Sequence, residues 1–289
     1  MILSGKNIKL RALVTNEIKA FYEKTPFPNY EGIENIGTLI QKAESGGFAK
    51  LLDDQIPYNA KVLDVGCGTG QLSNFLAASQ RSVYGVDLCF NSLKLALEFK
   101  VRNELSRAQF YQMNLFMPIF KEKSFDFVIC NGVLHHTASP FEGFKSISGL
   151  VKNGGYIMIG LYNKYGRIPN DLRKIIFRIF NNRPKLLDPR IRKSKIKGLK
   201  LHAWINDQYH NPHESRHTLG EVLQWFDKTG FEFINSITKP HFENGETENI
   251  LFKKTSKGNS ISRLLAQAAL LFSPDNEGVF FIMTGRRKS

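Results

Sequence analysis

The stretch KVLDVGCGTG (residues 61–70) confines the fold of this chain more than any other. Val62, Leu63 and Val65 form an apolar run that reads as a buried strand. It feeds Gly66, Gly68 and Gly70, with Asp64 just ahead of them. A strand that ends in a glycine loop and passes at once into a helical pattern, here GQLSNFLAAS, opens an alternating strand–helix domain. The alternation continues down the chain. SVYGVDL, AQFYQMNL, FDFVICN and YIMIGLYN read as strands two to five. Between them lie a helix with Ser92 as its N-cap, running through LKLALEFKVRNE, and a helix FEGFKSISGLV stopped by Asn153-Gly154-Gly155. HTLGEVLQWFDKTG predicts a helix opened by Thr218 and closed by Gly230, and FEFINSIT and GVFFIMTGRR supply strands six and seven.

The expected fold is therefore α/β: a Rossmann-like, doubly wound, mostly parallel seven-stranded sheet with a C-terminal antiparallel hairpin. Residues 1–59 read as a helical preface and lid, 60–163 as the cofactor-binding core, 164–216 as a basic insertion after strand five, and 217–289 as the completion of the core. FYEKTPFPNY (21–30), with two prolines and no clear period, is expected to be an ordered loop rather than a helix. The net charge of +14 is concentrated: residues 164–200 hold thirteen Lys/Arg against two Asp, which is +11. Such a block either solvates a surface or meets an anionic partner, RNA or a membrane surface. Three scattered cysteines suggest neither a disulfide framework nor a zinc site and suit a reducing cytoplasm. The first residues lack a signal-peptide core, and the longest apolar run, LLAQAALLF (264–272), is too short to span a bilayer.

In a doubly wound sheet, ligands sit beyond the carboxyl ends of the strands, where the glycine loop lies. Its spacing is G-x-G-x-G, whereas dinucleotide loops read G-x-G-x-x-G. The Asp64 carboxylate would repel a pyrophosphate and attract an ammonium group. S-adenosylmethionine, which carries a sulfonium, an α-amino group, a ribose diol and an adenine but no phosphate, suits such a loop better than a nicotinamide dinucleotide. Asp87, about twenty residues past the glycines, stands where an acid grips ribose hydroxyls. Asn114 ends strand three, towards an adenine edge, and Asn131 ends strand four, near an amino-acid end.

VLDVGCGTG, VYGVDL, FDFVICNGVLHHT and GLVKNGGYIMIGLYN together resemble the class I S-adenosylmethionine-dependent methyltransferases, in particular the ubiquinone/menaquinone-type small-molecule enzymes. The resemblance implies that Asp64 and the loop Gly66, Cys67, Gly68, Gly70 hold the methionine part. It gives the ribose to Asp87 and Leu88 and the adenine to Asn114 and Leu115. Asn114 departs from the family's usual Asp, though an amide oxygen still accepts from the adenine amino group. For Asn114 the alternative is a strand-end cap.

The acceptor side is less determined. His135 or His136, after strand four, is a candidate base if the acceptor must lose a proton; the alternative is a packed loop histidine. NDQYHNPHESRHT (206–218) offers Asp207, Tyr209, His210 and Glu214 for substrate contact or lid structure; its histidine spacing and proline argue against a metal. Tyr22, Phe27 and Tyr30 would shield the cofactor from the other side or fill the gap between preface and sheet. In the insertion, Leu172, Ile175, Ile176, Ile179 and Phe180 share a helical face opposite Arg173, Lys174 and Arg178, which suits a membrane surface, a domain contact or a homodimer. Three functions stay open: methylation of a small or lipid-like molecule, methylation of RNA gripped by 164–200, and a non-catalytic cofactor-binding subunit. Against RNA, the basic block alternates with aliphatic rather than stacking aromatic residues.

Overall fold

The computed structural model describes residues 5–28, 30–45, 47–179, 198–237, 251–272 and 280–289. Three helices, α1 (Gly5–Lys24), α2 (Ile36–Ser45) and α3 (Gly47–Gln55), precede strand β1 (Lys61–Val65). Then α4 (Gln71–Ala78), β2 (Ser82–Asp87), α5 (Phe90–Arg102), β3 (Ala108–Gln112), β4 (Phe125–Asn131), α6 (Pro140–Ser148) and β5 (Val151–Tyr162) alternate. Beyond them come α7 (Ile168–Ile179), α8 (Gly198–Ile205), α9 (Leu219–Thr229), β6 (Phe231–Ile237), α10 (Ser260–Ala269) and β7 (Phe280–Arg287). The seven strands form one sheet in the order β3-β2-β1-β4-β5-β7-β6; β7 runs antiparallel to β5 and β6, and the other pairings are parallel. This is the mostly parallel, doubly wound sheet that the strand–helix alternation predicts. Because β1 lies at its centre, Val62 and Leu63 are both fully buried although they point to opposite faces. One apolar cluster, including Phe144, Trp225 and Phe226, packs α6 and α9 on one face, and another, including Leu39, Leu52 and Phe75, packs α2, α3 and α4 on the other.

Three local expectations are corrected. α5 starts at Phe90, not after a Ser92 cap; Ser92 is buried inside it, and Cys89 is the N-cap. The first amides are satisfied from a distance: Asp87 accepts from the Cys89 N–H, and Glu23 of α1 accepts from those of Phe90 and Asn91. That carboxylate also sits at the positive end of the helix dipole. α6 stops at Ser148, before the Asn-Gly-Gly triplet, because Leu150 and Val151 turn into the core and Val151 already pairs with Phe125. Gly154, at φ +75°, then lies within an irregular stretch of β5. Finally, Phe21–Lys24 are the last turn of α1, so the loop read from 21–30 begins at Thr25. Thr218 does cap α9, accepting from the Glu221 N–H, and Gly230 closes it in the left-handed region.

Candidate functional site

A cavity of about 540 Å³ opens at the carboxyl ends of β1, β2 and β4, beneath α1. Such a volume is in the range of small-molecule sites. Its floor is the glycine loop. Gly66, Gly68 and Gly70 have φ of +71°, +54° and +75°, a region that glycine enters without strain. Gly68 is needed for closeness too: a Cβ there would lie 2.3 Å from the Phe27 carbonyl oxygen. Four of the five amides of the loop are already used. Those of Gly66 and Cys67 donate to the Val86 carbonyl, that of Gly68 to the Asp87 carboxylate and that of Gly70 to the Cys67 carbonyl. Phosphate-binding loops instead turn their N–H groups towards the ligand, so this loop offers little to a pyrophosphate.

The charges point the same way. Asp64 is 4% exposed and accepts from the Ser73 hydroxyl at 2.6 Å. Burial pushes its carboxyl up to about 6, and the neighbouring Asp87 adds to that rise. Burial also raises Asp87, against the stabilising amides of Cys89 and Gly68. Neither carboxylate forms an ion pair among the described residues. Two acids, Asp64 buried and Asp87 partly buried, lining one cavity without a cation suit a ligand that brings a positive charge. Asn131, also on the wall, carries a buried side-chain oxygen with no hydrogen-bond partner among the described residues. These residues fit S-adenosylmethionine.

The cavity wall includes Asp64, Gly66, Cys67, Gly68, Asp87, Leu88, Asn114, Leu115, Asn131, His135, His136, Tyr22 and Phe27. Asn114 also accepts from the Phe116 N–H, so it closes the strand-end turn as well. Other expected residues lie off the wall. Gly70 heads α4, and a Cβ there would strike Ala96 and Phe110. Tyr30 stacks on Phe99 at 4.6 Å and donates to the Thr69 carbonyl, which pins the lid loop to the glycine loop from behind. Tyr209 packs edge-on against Phe177, and His210 is exposed, with Asn206 beside its Nδ1. Glu214 forms a buried two-pronged pair with Arg167 at 3.0 and 2.8 Å. Although burial opposes it, the Arg167 guanidinium holds the Glu214 carboxyl below its usual range. Asp207 lies in the π-helical turn Asn206–His210, but its side chain is outside the described ones. Of the amphipathic face read in the insertion, Leu172, Ile175, Ile176 and Ile179 are exposed, whereas Phe180 and the Arg178 side chain are outside the described set.

The two histidines differ. Burial, then His136, Arg167 and His217, hold His135 well below the usual imidazole range, so it is neutral at physiological pH. The Nδ1 of His136 lies 2.9 Å from the His213 carbonyl. A carbonyl only accepts, so Nδ1 carries the hydrogen and Nε2 the lone pair of the neutral ring. Glu214 and His136 interact electrostatically. The loop that holds the His213 carbonyl is laced down: the Ser215 N–H donates to the His135 carbonyl and that of His217 to the Tyr162 carbonyl. Among the described residues no group of three or more His, Cys, Asp or Glu could hold a metal ion.

Sequence reading missed the far wall: Phe48, Tyr162, Trp204, Gln208, Phe280 and Ile282. They come from five separate elements, and no spacing pattern joins them. Only the pairing of β5 with β7, which sets Tyr162 opposite Phe280, brings two of them together in a way an aromatic strand end could have signalled.

Residues 63–159 match the family model described as a methyltransferase domain. Over 105 residues the chain is 31% identical to a ubiquinone biosynthesis O-methyltransferase of Leptothrix cholodnii, a match covering 36% of this chain and 45% of that protein. Over another 105-residue match it is 33% identical to a tRNA U34 carboxymethyltransferase of Idiomarina loihiensis, covering 34% of this chain and 32% of that protein. The chain thus spans less than half the length of these curated relatives. The structure of PKMT2 from Rickettsia typhi in complex with AdoHcy shares the fold, with a TM-score of 0.56 at 16% identity over 80% of this chain and 49% of that one.

Proposed function

We propose that the chain, whose residues 63–159 match a methyltransferase-domain model, is a class I S-adenosylmethionine-dependent methyltransferase and that the whole protein methylates a small, largely apolar or lipid-like molecule. The observation that carries this reading is the two-sided cavity. One side bears unpaired carboxylates and strand-end amides, and the other is aromatic and aliphatic. Bound there, S-adenosylmethionine supplies a methyl group on a cationic sulfur. Asp87 and Leu88 suit the ribose and Asn114 with Leu115 the adenine; Asp64, the Gly66–Gly68 turn and Asn131 suit the charged amino-acid end. Tyr22 and Phe27 cover the site from α1 and the loop after it, excluding water from the reacting atoms. His136 takes the acceptor's proton on Nε2 where the acceptor has one to lose, and His135 serves as a neutral wall against which Tyr162 packs.

For the basic insertion we infer an anionic lipid surface as partner. α7 leaves Leu172, Ile175 and Ile179 exposed, and the surrounding sequence 164–200 carries +11. No helix among the described residues is long and apolar enough to cross a membrane.

The test is calorimetry with S-adenosylhomocysteine and with NADH, followed by incubation of the protein with methyl-tritiated S-adenosylmethionine and host extract. Binding of S-adenosylhomocysteine alone, with label in the organic-soluble or small-molecule fraction, is expected. Uptake of NADH without S-adenosylhomocysteine refutes the cofactor assignment, and label recovered in RNA replaces the acceptor assignment.

A further inference from the structure

At the end of β3 the cavity wall turns through Met113, Asn114, Leu115 and Phe116, and all four line it. The turn is held from several sides. The Met113 N–H donates to the Asp87 carbonyl at 2.9 Å, and the Met117 N–H to the Asn114 carbonyl at 2.8 Å. Leu115 lies over Gly143 of α6, where a Cβ would come within 2.8 Å of its side chain. The Arg11 guanidinium of α1 stands 5.2 Å from the centre of the Phe116 ring. The backbone is thus fixed on both sides of Asn114.

Within this turn Asn114 Oδ1 accepts from the Phe116 N–H at 3.0 Å. That contact decides which way the amide faces, because a backbone N–H can donate only to its oxygen. Nδ2 is the other terminus, and it can only donate. Among the described residues no acceptor takes it. The oxygen expected for the adenine amino group is therefore engaged by the chain, and the amide offers a ligand its N–H groups. A carboxylate at this position would keep one oxygen for Phe116 and a second for an amino group; the amide has no second oxygen. The edge of an adenine carries both kinds of partner. Its 6-amino group donates, whereas the ring nitrogens N1 and N7 on either side of it accept through lone pairs. A donor facing the amino group gains nothing, and a donor facing a ring nitrogen completes a hydrogen bond.

We propose that Asn114 is a specificity-determining contact for the cofactor: its Nδ2 donates to a ring nitrogen of the adenine, and the 6-amino group goes unread by this side chain. The assignment rests on the S-adenosylmethionine reading of the cavity and adds what this chain's own amide does there.

The experiment is calorimetry on the wild type and Asn114→Asp with S-adenosylhomocysteine and three analogues of it. One lacks the 6-amino group; the 1-deaza and 7-deaza analogues each replace one ring nitrogen by C–H. Asn114→Asp keeps an oxygen for the Phe116 N–H and turns the other terminus from donor to acceptor. In the wild type, removing the amino group should change the Kd by less than about twofold, and one of the deaza analogues should bind roughly three- to tenfold more weakly, as for one lost neutral hydrogen bond. In Asn114→Asp the pattern should invert. Loss of the amino group then weakens binding by at least roughly threefold, and the deaza replacement that harms the wild type no longer does. Ratios are compared within each protein, so a general change in affinity from the added charge cancels. A wild type that loses affinity with the amino group, or that binds both deaza analogues as tightly as the parent, overturns the assignment. So does an Asn114→Asp protein with the wild-type pattern. A wild type that binds neither S-adenosylhomocysteine nor any analogue brings down the cofactor reading itself, and this contact with it.

Discussion

Replacing Asp64 by Asn should make the ligand-free protein more stable while weakening its hold on the cofactor. Burial raises this carboxyl from its ordinary 3.8 to about 6. At about 1.36 kcal/mol per pH unit, keeping it ionised at pH 7.5 costs the native state about 3 kcal/mol. The native chain binds this proton more tightly than the unfolded chain. Its contribution therefore becomes more favourable as pH falls through about 6, and the gain is complete once pH is below the unfolded value near 3.8. An amide in its place has no such dependence, and the amide oxygen still accepts from the Ser73 hydroxyl. Urea unfolding of Asp64→Asn should thus show up to about 3 kcal/mol of added stability at pH 7.5, a difference that closes as pH approaches 4. With S-adenosylhomocysteine at a hundred times the wild-type Kd, the wild type gains about 2.7 kcal/mol. The variant, having lost a charged hydrogen bond and with it ten- to a hundredfold in affinity, gains only about 0.4–1.4 kcal/mol. A variant no more stable than wild type at pH 7.5, or one stabilised equally by the ligand, would refute the claim that Asp64 is an unpaired charge held for a cationic ligand.

Other consequences are simpler to state. Gly68→Ala places a Cβ against the Phe27 carbonyl, whereas Gly230→Ala, at φ +79° and away from the cavity, meets nothing within 4 Å. Both incur backbone strain of about 1–3 kcal/mol, but only the first should also weaken S-adenosylhomocysteine binding, read by calorimetry. Arg81, 1% exposed, donates to the carbonyls of Asp53, Ile56 and Ser79 and pairs with the Asp53 carboxylate. Arg81→Met leaves those acceptors without their donor and should cost about 3–5 kcal/mol in urea unfolding. Replacing Leu172, Ile175 and Ile179 together by Ser should abolish flotation with anionic vesicles without lowering the melting temperature; flotation that persists would remove α7 from the membrane contact.

The half of the site that the sequence discloses is the half built locally. Asp64, Asp87, Asn114 and Asn131 each stand at or just past the end of a strand, and strand ends follow from apolar runs and glycines. The aromatic half arises from residues far apart in the chain: Phe48 in α3, Tyr162 and Phe280 at paired strand ends, Trp204 and Gln208 within the insertion. No local pattern brings them together. Glu214 shows a different limit. In sequence, a carboxylate in a polar loop suits substrate contact and a buried ion pair equally well, and only the turn at Asn163, which swings Arg167 inward, decides for the pair. The start of α5 fails in the same manner, since its amides are satisfied by Glu23, some seventy residues away.

The glycine loop makes the sharpest case, because the charge argument from Asp64 reaches the cofactor class for an incomplete reason. A carboxylate beside a glycine loop disfavours phosphate, yet a loop with open amides could still outweigh one charge with several hydrogen bonds. What weakens that possibility is where four of the loop's five amides go. Val86, Asp87 and Cys67 take those of Gly66, Cys67, Gly68 and Gly70, and the Phe27 carbonyl sits where a Cβ at Gly68 would stand. Asp87 holds the loop shut through Gly68 and heads α5 through Cys89, and it also lines the cavity. A loop closed in this way offers a ligand the carboxylates of Asp64 and Asp87. It selects for hydroxyl, amino and cationic groups, which a nucleoside sulfonium supplies and a pyrophosphate lacks.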